Sequence, residues 1–216
     1  MQLTPSLQLH NINKRFPSHK LFTDLSYSFE SGCYSLVGPN GIGKSTLLAM
    51  MVGCETFDSG QVIINNLDLV KDPVRAKTHL AYVPAQCQFY PFVSGKEFID
   101  FMLRIRKTHL SSATERLIDL FNLTPYLEVT FGNMSLGTQK KFMLAASSIG
   151  EPSILILDEP SNGLESATQQ ILLDHLIQQS VYKLIILATH DKSLLDRLPA
   201  KRLQLGHTAP VEKLLS

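Results

Sequence analysis

Cysteines, net charge and long apolar runs are all scarce in this sequence. The three cysteines (Cys33, Cys54 and Cys87) are odd in number and include no Cys-x-x-Cys pair. They favour neither a disulfide framework nor a zinc site, and a reducing compartment fits them best. The formal net charge is only +1. Because proteins that bind nucleic acids usually carry a marked basic excess, we expect no nucleic-acid partner.

The apolar runs are too short to cross a membrane. The longest, "ILIL" at 154–157 and "LIILA" at 184–188, fall far below the roughly 20 residues that a spanning helix requires. Near the N-terminus, Pro5 and polar residues interrupt the apolar positions, so that segment lacks the apolar centre of a signal peptide. We therefore expect a soluble chain, which can still bind a membrane protein.

The sequence contains enough hydrophobic residues for one globular domain, with 44% hydrophobic and 18% charged residues in a chain of 216. Alternation of apolar and polar residues over 1–37 predicts short strands, and a helix is predicted over 44–52. Residues 60–70 are predicted to form a hairpin with Asn65 and Asn66 at its turn.

The period of the apolar residues changes from two to about 3.6 after Ser94, which indicates helices. Ser94 and Glu97 form a predicted capping box, and Ser112 and Glu115 form a second one. The residues predicted to share one apolar helix face are Phe98, Ile99, Phe101, Met102 and Ile105 after the first box, and Leu117, Ile118, Leu120 and Phe121 after the second.

Strand patterns on both sides of this helical region indicate one interrupted α/β core. The later core elements are predicted strands at 79–84, 153–160 and 183–190 and a helix at 166–179. We therefore predict an α/β fold in which a small helical subdomain, residues 88–150, is inserted into a core formed by residues 1–87 and 151–216.

The segment "GPNGIGKST" at 38–46 matches the phosphate-binding pattern G-x-x-x-x-G-K-[ST]. It follows a predicted strand and opens a predicted helix, which is the context that phosphate binding requires. Lys44 can reach the β- and γ-phosphates, and the Ser45 hydroxyl is a candidate ligand of Mg²⁺. The candidate nucleotide-binding residues are Gly38, Pro39, Asn40, Gly41, Ile42, Gly43, Lys44, Ser45 and Thr46.

Two later strands end in polar residues that would meet this loop. "ILILDEP" places Asp158 at the carboxyl end of a buried strand, where it is a candidate Mg²⁺ ligand. Glu159 faces the other side of the strand and is a candidate general base. His190 ends "LATH" and is a candidate contact of the γ-phosphate. Taken alone, the acidic pair would more often be a helix cap and the histidine a surface residue, so the assignment depends on all three motifs together.

In their order along the chain, these motifs resemble those of the ATP-binding subunit of ABC transporters. "GPNGIGKST" resembles the Walker A motif, "ILILDEP" the Walker B motif, "SNGLE" at 161–165 the D-loop, and "MSLGTQKK" at 134–141 the family signature. His190 would be the switch histidine. The resemblance implies a P-loop NTPase (RecA-like) core with an antiparallel β subdomain and an inserted helical subdomain. It also implies hydrolysis of ATP with Mg²⁺, with Glu159 as the catalytic base.

The resemblance further implies a head-to-tail pair with a second ATPase subunit, whether identical or paralogous. Ser135 and Gly137 would then bind the γ-phosphate of the ATP that the other subunit holds. A helix N-terminus with a serine hydroxyl and a glycine suits an anion, although the same serine also suits an ordinary N-cap. Phe16 stands where the family has an aromatic ring stacked on adenine, and core packing is the alternative for this ring.

Subunits of this kind work with integral membrane subunits, so we expect a peripheral position on the cytoplasmic face of a membrane. The segment "FYPFVSGKEF" at 89–98 is the candidate contact, with core packing as the alternative for Phe89, Tyr90 and Phe92. The "SLG" of the signature resembles drug exporters and favours export.

Several positions depart from the family pattern. Ala85 stands where a glutamine is usual, and Gln86 follows one place later as the candidate metal ligand. Glu165 replaces the D-loop aspartate. Three of the five residues of the usual Leu-Ser-Gly-Gly-Gln signature are replaced, by Met134, Leu136 and Thr138.

Three other functions are open at this point. A soluble ABC ATPase of DNA repair, chromosome handling or translation usually carries a coiled coil, a second ATPase copy or a basic arm, and this sequence has one motif set and no sustained heptads. A P-loop kinase or GTPase would leave Glu159 and His190 unused. A regulatory subunit that binds ATP but scarcely hydrolyses it would account for Ala85 and Glu165.

Overall fold

The computed structural model describes residues 4–86, 89–206 and the backbone of 211–213. Its strands within these residues are β1 (Leu7–Phe16), β2 (His19–Phe29), β3 (Gly32–Val37), β4 (Ser59–Ile64), β5 (Leu67–Asp68), β6 (Leu80–Val83), β7 (Ile154–Asp158), β8 (Leu184–Ala188), β9 (Lys201–Gln204) and β10 (Val211–Lys213). Its α-helices are α1 (Lys44–Met51), α2 (Pro73–Thr78), α3 (Gly95–Arg106), α4 (Ser112–Leu120), α5 (Leu136–Ala146), α6 (Ser166–Gln179) and α7 (Lys192–Arg197), and short 3₁₀ turns lie at Thr124–Tyr126 and Phe131–Asn133.

The central sheet has the strand order β10-β9-β3-β8-β7-β6, and every pair in it is parallel except β10 with β9. Strands β7 and β8 are buried along their whole length, which explains why both are continuous apolar runs. Since parallel strands end at the same edge, β3, β7 and β8 bring the 38–46 loop, Asp158 and His190 to one side of the sheet.

Each face of this sheet covers its own hydrophobic core. Along β7, Leu155 and Leu157 pack into one core, whereas Ile154 and Ile156 pack into the other, because successive side chains of a strand point to opposite faces. The first core is shared with α3, α4, α5 and α6, and the second with α1 and the antiparallel sheet.

The antiparallel sheet has the strand order β2-β1-β4-β5. The predicted hairpin over 60–70 is confirmed, since β4 and β5 are joined by Asn65 and Asn66 with φ of 47° and 66°. Two left-handed residues in succession make the tight turn that suits the twist of paired strands.

The helical region between β6 and β7 begins as the sequence predicts, but its apolar face is narrower. The capping box of α3 is confirmed: the Glu97 N–H donates to Ser94 Oγ at 3.2 Å, and the Ser94 N–H donates to Glu97 Oε2 at 2.8 Å. Phe98 is buried, whereas Phe101 and Ile105 are exposed. The prediction of one shared apolar face was therefore wrong for Phe101 and Ile105.

The second predicted capping box is also wrong in its register. The N-cap of α4 is Ser111, whose hydroxyl accepts from the Thr114 N–H at 3.3 Å, and Ser112 is the first helical residue. Either of two adjacent serines can cap a helix, and the buried Thr114, which also contacts Ser148, selects the first one. Leu120 is exposed, unlike the other three apolar residues predicted for this face.

The predicted boundary between residues 87 and 88 lies outside the described residues, as does Cys87. No helix in the part of the chain that the structure describes is both long enough and apolar enough to span a bilayer.

Candidate functional site

The loop at 38–46 is held from below by the antiparallel sheet. Gly43 precedes α1 with φ of 102°, a backbone conformation that favours glycine. A Cβ at this position would lie 2.8 Å from Phe22 Cζ and 2.9 Å from Leu21 Cδ2. Phe22 and Leu21 of β2 therefore pack directly against the loop at Gly43, and no residue with a side chain fits at this position.

Lys44 is already folded into this loop. Its side chain is only 8% exposed, and Nζ donates to the carbonyl oxygens of Gly38 at 2.8 Å and Pro39 at 3.1 Å. A buried ammonium needs such acceptors. The positive charge therefore lies inside the loop, beside the N-terminus of α1, where an anion would be stabilised.

Asp158 ends β7 next to this charge and is 3% exposed. Burial raises the pKa of Asp158 above its ordinary value, and the neighbouring carboxylate of Glu159 raises it too, while a hydrogen bond with Ser45 and the charges of Lys140 and Lys44 oppose this. A hydroxyl and a carboxylate in contact form an oxygen donor set of the kind that Mg²⁺ prefers. Ser45 and Asp158 therefore fit this ion.

Glu159 lies beside Asp158 in a strained backbone conformation, with φ of 45°. Its carboxylate is held by the end of β8, because Thr189 Oγ1 donates to Oε2 at 3.1 Å and the His190 N–H donates to the same atom at 3.2 Å. The His190 Nε2 lies 3.6 Å from Glu159 Oε1. Two strand ends thus fix one carboxylate at the edge of the sheet.

These groups open into one cleft of about 420 Å³. Its lining residues are Phe16, His19, Leu21, Asn40, Gly41, Gly43, Lys44, Ser45, Thr46, Asp158, Glu159 and His190. The structure thus brings together the loop, the acidic pair and the histidine. Gln86 is exposed and is not among the lining residues, so the structure does not bring it to Ser45 and Asp158.

Phe16 and His19 form the aromatic end of the cleft. The two residues face each other across the turn between β1 and β2, with ring centroids 5.8 Å apart, and Lys14 Nζ lies 4.9 Å from the centre of the Phe16 ring. Phe16 is half-buried, so it both lines the cleft and packs against the core. Sequence reasoning missed His19. The two-residue turn "PS" between the strands was the signal that would have paired it with Phe16.

The second predicted phosphate contact lies elsewhere, at the N-terminus of α5. Ser135 is the N-cap, and its Oγ accepts from the Thr138 N–H at 3.1 Å. A Cβ on Gly137 would lie 2.3 Å from the carbonyl oxygen of Gly163. Gly137 is therefore required by the close approach of the Gly163 backbone in the same chain. Ser135 and Gly137 do not line the cleft described above.

A comparison with known families decides what this arrangement is. Residues 22–162 match the family described as ABC transporter. The chain belongs to the ABC transporter family. The matched region runs from β2 to just after β7. It contains the Walker A loop, residues 135–137 at the start of α5 (the signature tip), and the Walker B carboxylates of Asp158 and Glu159.

Two bacterial relatives illustrate the similarity. An uncharacterized ABC transporter ATP-binding protein of Bacillus subtilis, YhcH, is 31% identical over 171 residues, which cover 79% of this chain and 56% of the relative. The Fe(3+) ions import ATP-binding protein FbpC 2 of Pectobacterium atrosepticum is 31% identical over 209 residues, covering 91% of this chain and 60% of the relative. The chain thus spans little more than half the length of these relatives.

Among solved structures, the chain is similar to the dimeric ATP-binding cassette MJ0796 in a post-hydrolysis state bound to ADP and Pi. The TM-score is 0.83 with 18% identity, and the match covers 97% of this chain and 99% of that one. This likeness shows the fold, an ABC ATPase domain with a P-loop core, and confirms the predicted fold class.

Two departures from the ABC pattern have visible structural consequences. Glu165 occupies the N-cap of α6 but makes no side-chain capping bond there, and its side chain is exposed. Ala85 offers no polar side chain, and its backbone carbonyl accepts a hydrogen bond from Lys140 Nζ instead.

The aromatic segment of this ABC domain divides between core and surface. Phe89 packs against Phe98 and Phe131, with ring centroids 4.8 and 5.3 Å apart, whereas Tyr90 and Phe92 are exposed. A groove of about 420 Å³ beside them is lined by Phe89, Tyr90, Val93, Glu97, Asp100, Phe101 and Arg104. Core packing thus accounts for Phe89 and leaves the other two rings on the surface.

Proposed function

We propose that this chain binds and hydrolyses ATP as the ATP-binding subunit of a transporter whose membrane-spanning parts are separate. One observation carries the proposal: Lys44, Ser45, Asp158, Glu159 and His190 line a single cleft that also contains an aromatic ring. A cleft with a buried cation at one end and a ring at the other suits a nucleoside triphosphate.

In the proposed mechanism, the adenine lies on Phe16 and the triphosphate lies along the Walker A loop. Lys44 exchanges its two loop carbonyls for β- and γ-phosphate oxygens, which are stronger acceptors because they are charged. Backbone N–H groups of the loop and the N-terminus of α1 stabilise the remaining negative charge. The proposed nucleotide contacts are the residues of the loop, Gly38 to Thr46, together with Phe16.

Glu159 is the proposed general base. Thr189 and the His190 backbone hold Oε2 of its carboxylate. The other oxygen, Oε1, lies 3.6 Å from His190 Nε2 and is the proposed acceptor of a proton from the attacking water. His190 lines the same cleft and is the proposed contact of the γ-phosphate. Ser45 and Asp158 would hold Mg²⁺, which, when bound, would neutralise charge that develops on the phosphates.

The proposed catalytic unit is a head-to-tail pair of subunits, identical or paralogous. The signature tip at Ser135 and Gly137 is absent from the lining of the cleft in its own chain, yet Leu136 between them is 75% exposed. An exposed apolar side chain at a helix N-terminus suits a surface that becomes covered in a pair of subunits. The dimeric MJ0796 cassette supports this arrangement.

The proposed membrane partner contacts the groove beside Tyr90 and Phe92, which would place the chain on the cytoplasmic face of a membrane. Exposed rings beside a groove that contains both apolar and charged side chains suit an amphipathic helix from such a partner. We also propose the helical subdomain at 88–150 as the unit that carries this contact. The direction of transport stays a prediction: the "SLG" motif favours export, whereas the Pectobacterium relative is named an import protein.

The test compares the wild-type chain with Glu159→Gln, using Glu115→Gln as an exposed matched control. We expect the Glu159 variant to lose at least about 100-fold in ATP turnover, because a general base contributes 10²–10⁴-fold. We also expect it to bind ATP normally and to form dimers with ATP, measured by light scattering. Full turnover in this variant, or a monomer at saturating ATP, would contradict the proposal.

A regulatory subunit with little hydrolysis is the second candidate, favoured by Ala85 and by the position of Gln86 outside the cleft. The same experiment separates the two functions. Near-zero turnover in the wild-type chain and in Glu159→Gln alike, with intact ATP binding and dimerisation, would support the regulatory subunit.

A further inference from the structure

Lys140 lies in the middle of the signature helix α5, and its side chain is almost completely buried, with 2% exposure. Its Nζ donates to the carbonyl oxygens of Pro84 at 2.7 Å and Ala85 at 2.8 Å. These two carbonyls belong to the loop that follows β6, 55 residues earlier in the chain. A charged hydrogen bond therefore joins the signature helix to this loop.

Burial of an ammonium group destabilises the fold unless the group is fully hydrogen-bonded. The two carbonyl oxygens must therefore stay in place to stabilise the buried Lys140. Hydrogen bonds from a charged donor are roughly twice as strong as neutral ones. The side chain of Ala85 adds no polar contact of its own, so the backbone contacts from Lys140 fix the loop where the family pattern has a glutamine. Lys140 thus attaches the loop at 84–86 to α5.

Lys140 also lies beside the nucleotide site. Its acceptor Pro84 directly follows Val83, which pairs with Leu157, and Leu157 precedes Asp158 on β7. The same helix begins at the exposed tip formed by Ser135 and Leu136. Because Lys140 is five residues from Ser135, about 7.5 Å along the axis of a rigid helix, a displacement of the tip also displaces this ammonium.

We propose that Lys140 is a positioning residue that links the signature tip to the Mg²⁺ end of the nucleotide site by anchoring the loop at 84–86. The inference rests on the proposed function, since it assigns a role within that ATP site. Lys140 does not touch the nucleotide in this proposal. It sets the position of the loop beside the end of β7, where Asp158 is the proposed Mg²⁺ ligand.

Arg106 provides a matched control at the other end of β6. It is also a partly buried cation of the helical region, and it donates to the carbonyl oxygens of Lys77 at 3.1 Å and Thr78 at 3.2 Å, and to that of Leu80. It ties α3 to the segment before β6, on the side away from the 84–86 loop. Loss of either cation weakens attachment of the helical region, but only Lys140 lies at the nucleotide end.

The first experiment measures hydrogen exchange without nucleotide in Lys140→Met and Arg106→Met. Methionine keeps the length of lysine and removes its donors and charge. We expect Lys140→Met to speed exchange over 82–86, where the end of β6, which is paired with β7, leads into the loop. Arg106→Met should speed exchange over 77–80 instead. Equal patterns in the two variants would overturn the anchoring role.

The second experiment measures the Kd of ATP with Mg²⁺ and with a chelator. We expect Lys140→Met to weaken binding about tenfold in Mg²⁺ and to leave binding in chelator unchanged, since loss of an outer partner of a metal site typically costs 10–100-fold. Arg106→Met should leave the ratio of the two constants unchanged, and Lys140→Arg, which keeps charge and donors, should restore it.

An unchanged ratio in Lys140→Met, the same change in Arg106→Met, or no rescue by arginine would overturn the proposal. If Lys140→Met fails to fold, Lys140→Gln replaces it, since glutamine keeps donors but lacks the charge. If the wild-type chain binds no ATP, the proposed function is wrong. The hydrogen-exchange pattern would still show whether Lys140 anchors the loop.

Discussion

At the scale of single residues, the candidate site is built from charged groups that the fold holds at a cost. Asp158 is buried beside a second carboxylate, and Glu159 adopts a left-handed backbone conformation that non-glycine residues avoid. Lys44 is buried with loop carbonyls as acceptors. Such costs are typical of functional sites, where chemistry and not stability selects the residues.

Asp158→Asn should therefore make the chain more stable in the absence of Mg²⁺ and nucleotide. The pKa of Asp158 is raised, so ionisation destabilises the fold as the pH rises through its ordinary value of 3.8. Asparagine keeps the shape and removes this term. We expect a gain of about 0.5–2 kcal/mol at pH 7, the range common for single stabilising substitutions, and hence a rise in Tm of a few degrees.

The measurement is thermal unfolding at a series of pH values, with Asp119→Asn, an exposed aspartate on α4, as control. The difference between Asp158→Asn and the wild type should vanish well below pH 3.8, grow as the pH rises, and level off above the raised pKa. A less stable variant, or a difference that does not depend on pH, would show that Asp158 is well compensated by Ser45 and the two lysines.

At the scale of elements, α5 is fixed at three points along its length. Its tip contacts the D-loop through Gly137 and Gly163, Lys140 holds the loop after β6, and Phe142 is buried in the core of the helical region. The sequence pattern of α5 is only weakly amphipathic, because the charged Lys140 is buried as well as the apolar Phe142, whereas the apolar Leu136 is exposed.

Gly137→Ala is a direct test of the contact between α5 and the D-loop. Gly137 is the second residue of α5. Helix propensity alone favours alanine over glycine, by at most about 1 kcal/mol, the value for an interior position. The structure predicts the opposite sign, because the new Cβ would lie 2.3 Å from the Gly163 carbonyl oxygen. Such overpacking should cost roughly 1–3 kcal/mol, measured by urea unfolding.

Leu136→Ala, at the exposed neighbouring position, should stay within about 0.5 kcal/mol of the wild type because it touches little. If Gly137→Ala is as stable as that control, the D-loop can shift to accommodate the new Cβ. Packing within this chain would then not explain why the position holds a glycine.

At the scale of the whole molecule, the two features proposed to bind phosphate lie on different parts of one chain. The Walker A loop lies in the cleft at the edge of the central sheet, whereas the signature tip begins a helix of the inserted region and is exposed. Ser135 and Gly137 do not line the cleft of their own chain. In the proposed arrangement, a second copy or a paralogue supplies them to complete the site.

Mixing two inactive variants tests this arrangement. Lys44→Ala removes the Walker A cation, and Leu136→Glu places a carboxylate at the exposed signature tip, where it should repel a phosphate without disturbing the core. Each variant alone should hydrolyse little ATP. In a mixed dimer, one site combines the intact Walker A loop with the intact tip, so turnover should recover to at most about a quarter of wild type for random pairing of independent sites.

Thermal unfolding of the two variants controls for misfolding, since each should have a Tm close to that of the wild type. No recovery in a mixture shown by light scattering to contain dimers would count against the shared site, as would full activity of Leu136→Glu by itself.

The sequence by itself predicted the main strands and helices of the core and the motifs with the chemistry expected of them. The Walker A loop, the buried strand before Asp158, the Asn65–Asn66 turn and the Ser94–Glu97 box depend on residues a few positions apart, so local rules reach them. Register was less secure where two serines competed to cap α4.

Only the tertiary structure decided which distant residues meet. It placed His19 beside Phe16 in the cleft, left Gln86 outside it, seated Gly137 against Gly163, and buried Lys140 against the Ala85 carbonyl. It also separated the buried Phe89 from the exposed Tyr90 and Phe92. These contacts join residues far apart in the chain, and they depend on strand order and side-chain packing, which no short stretch of sequence contains.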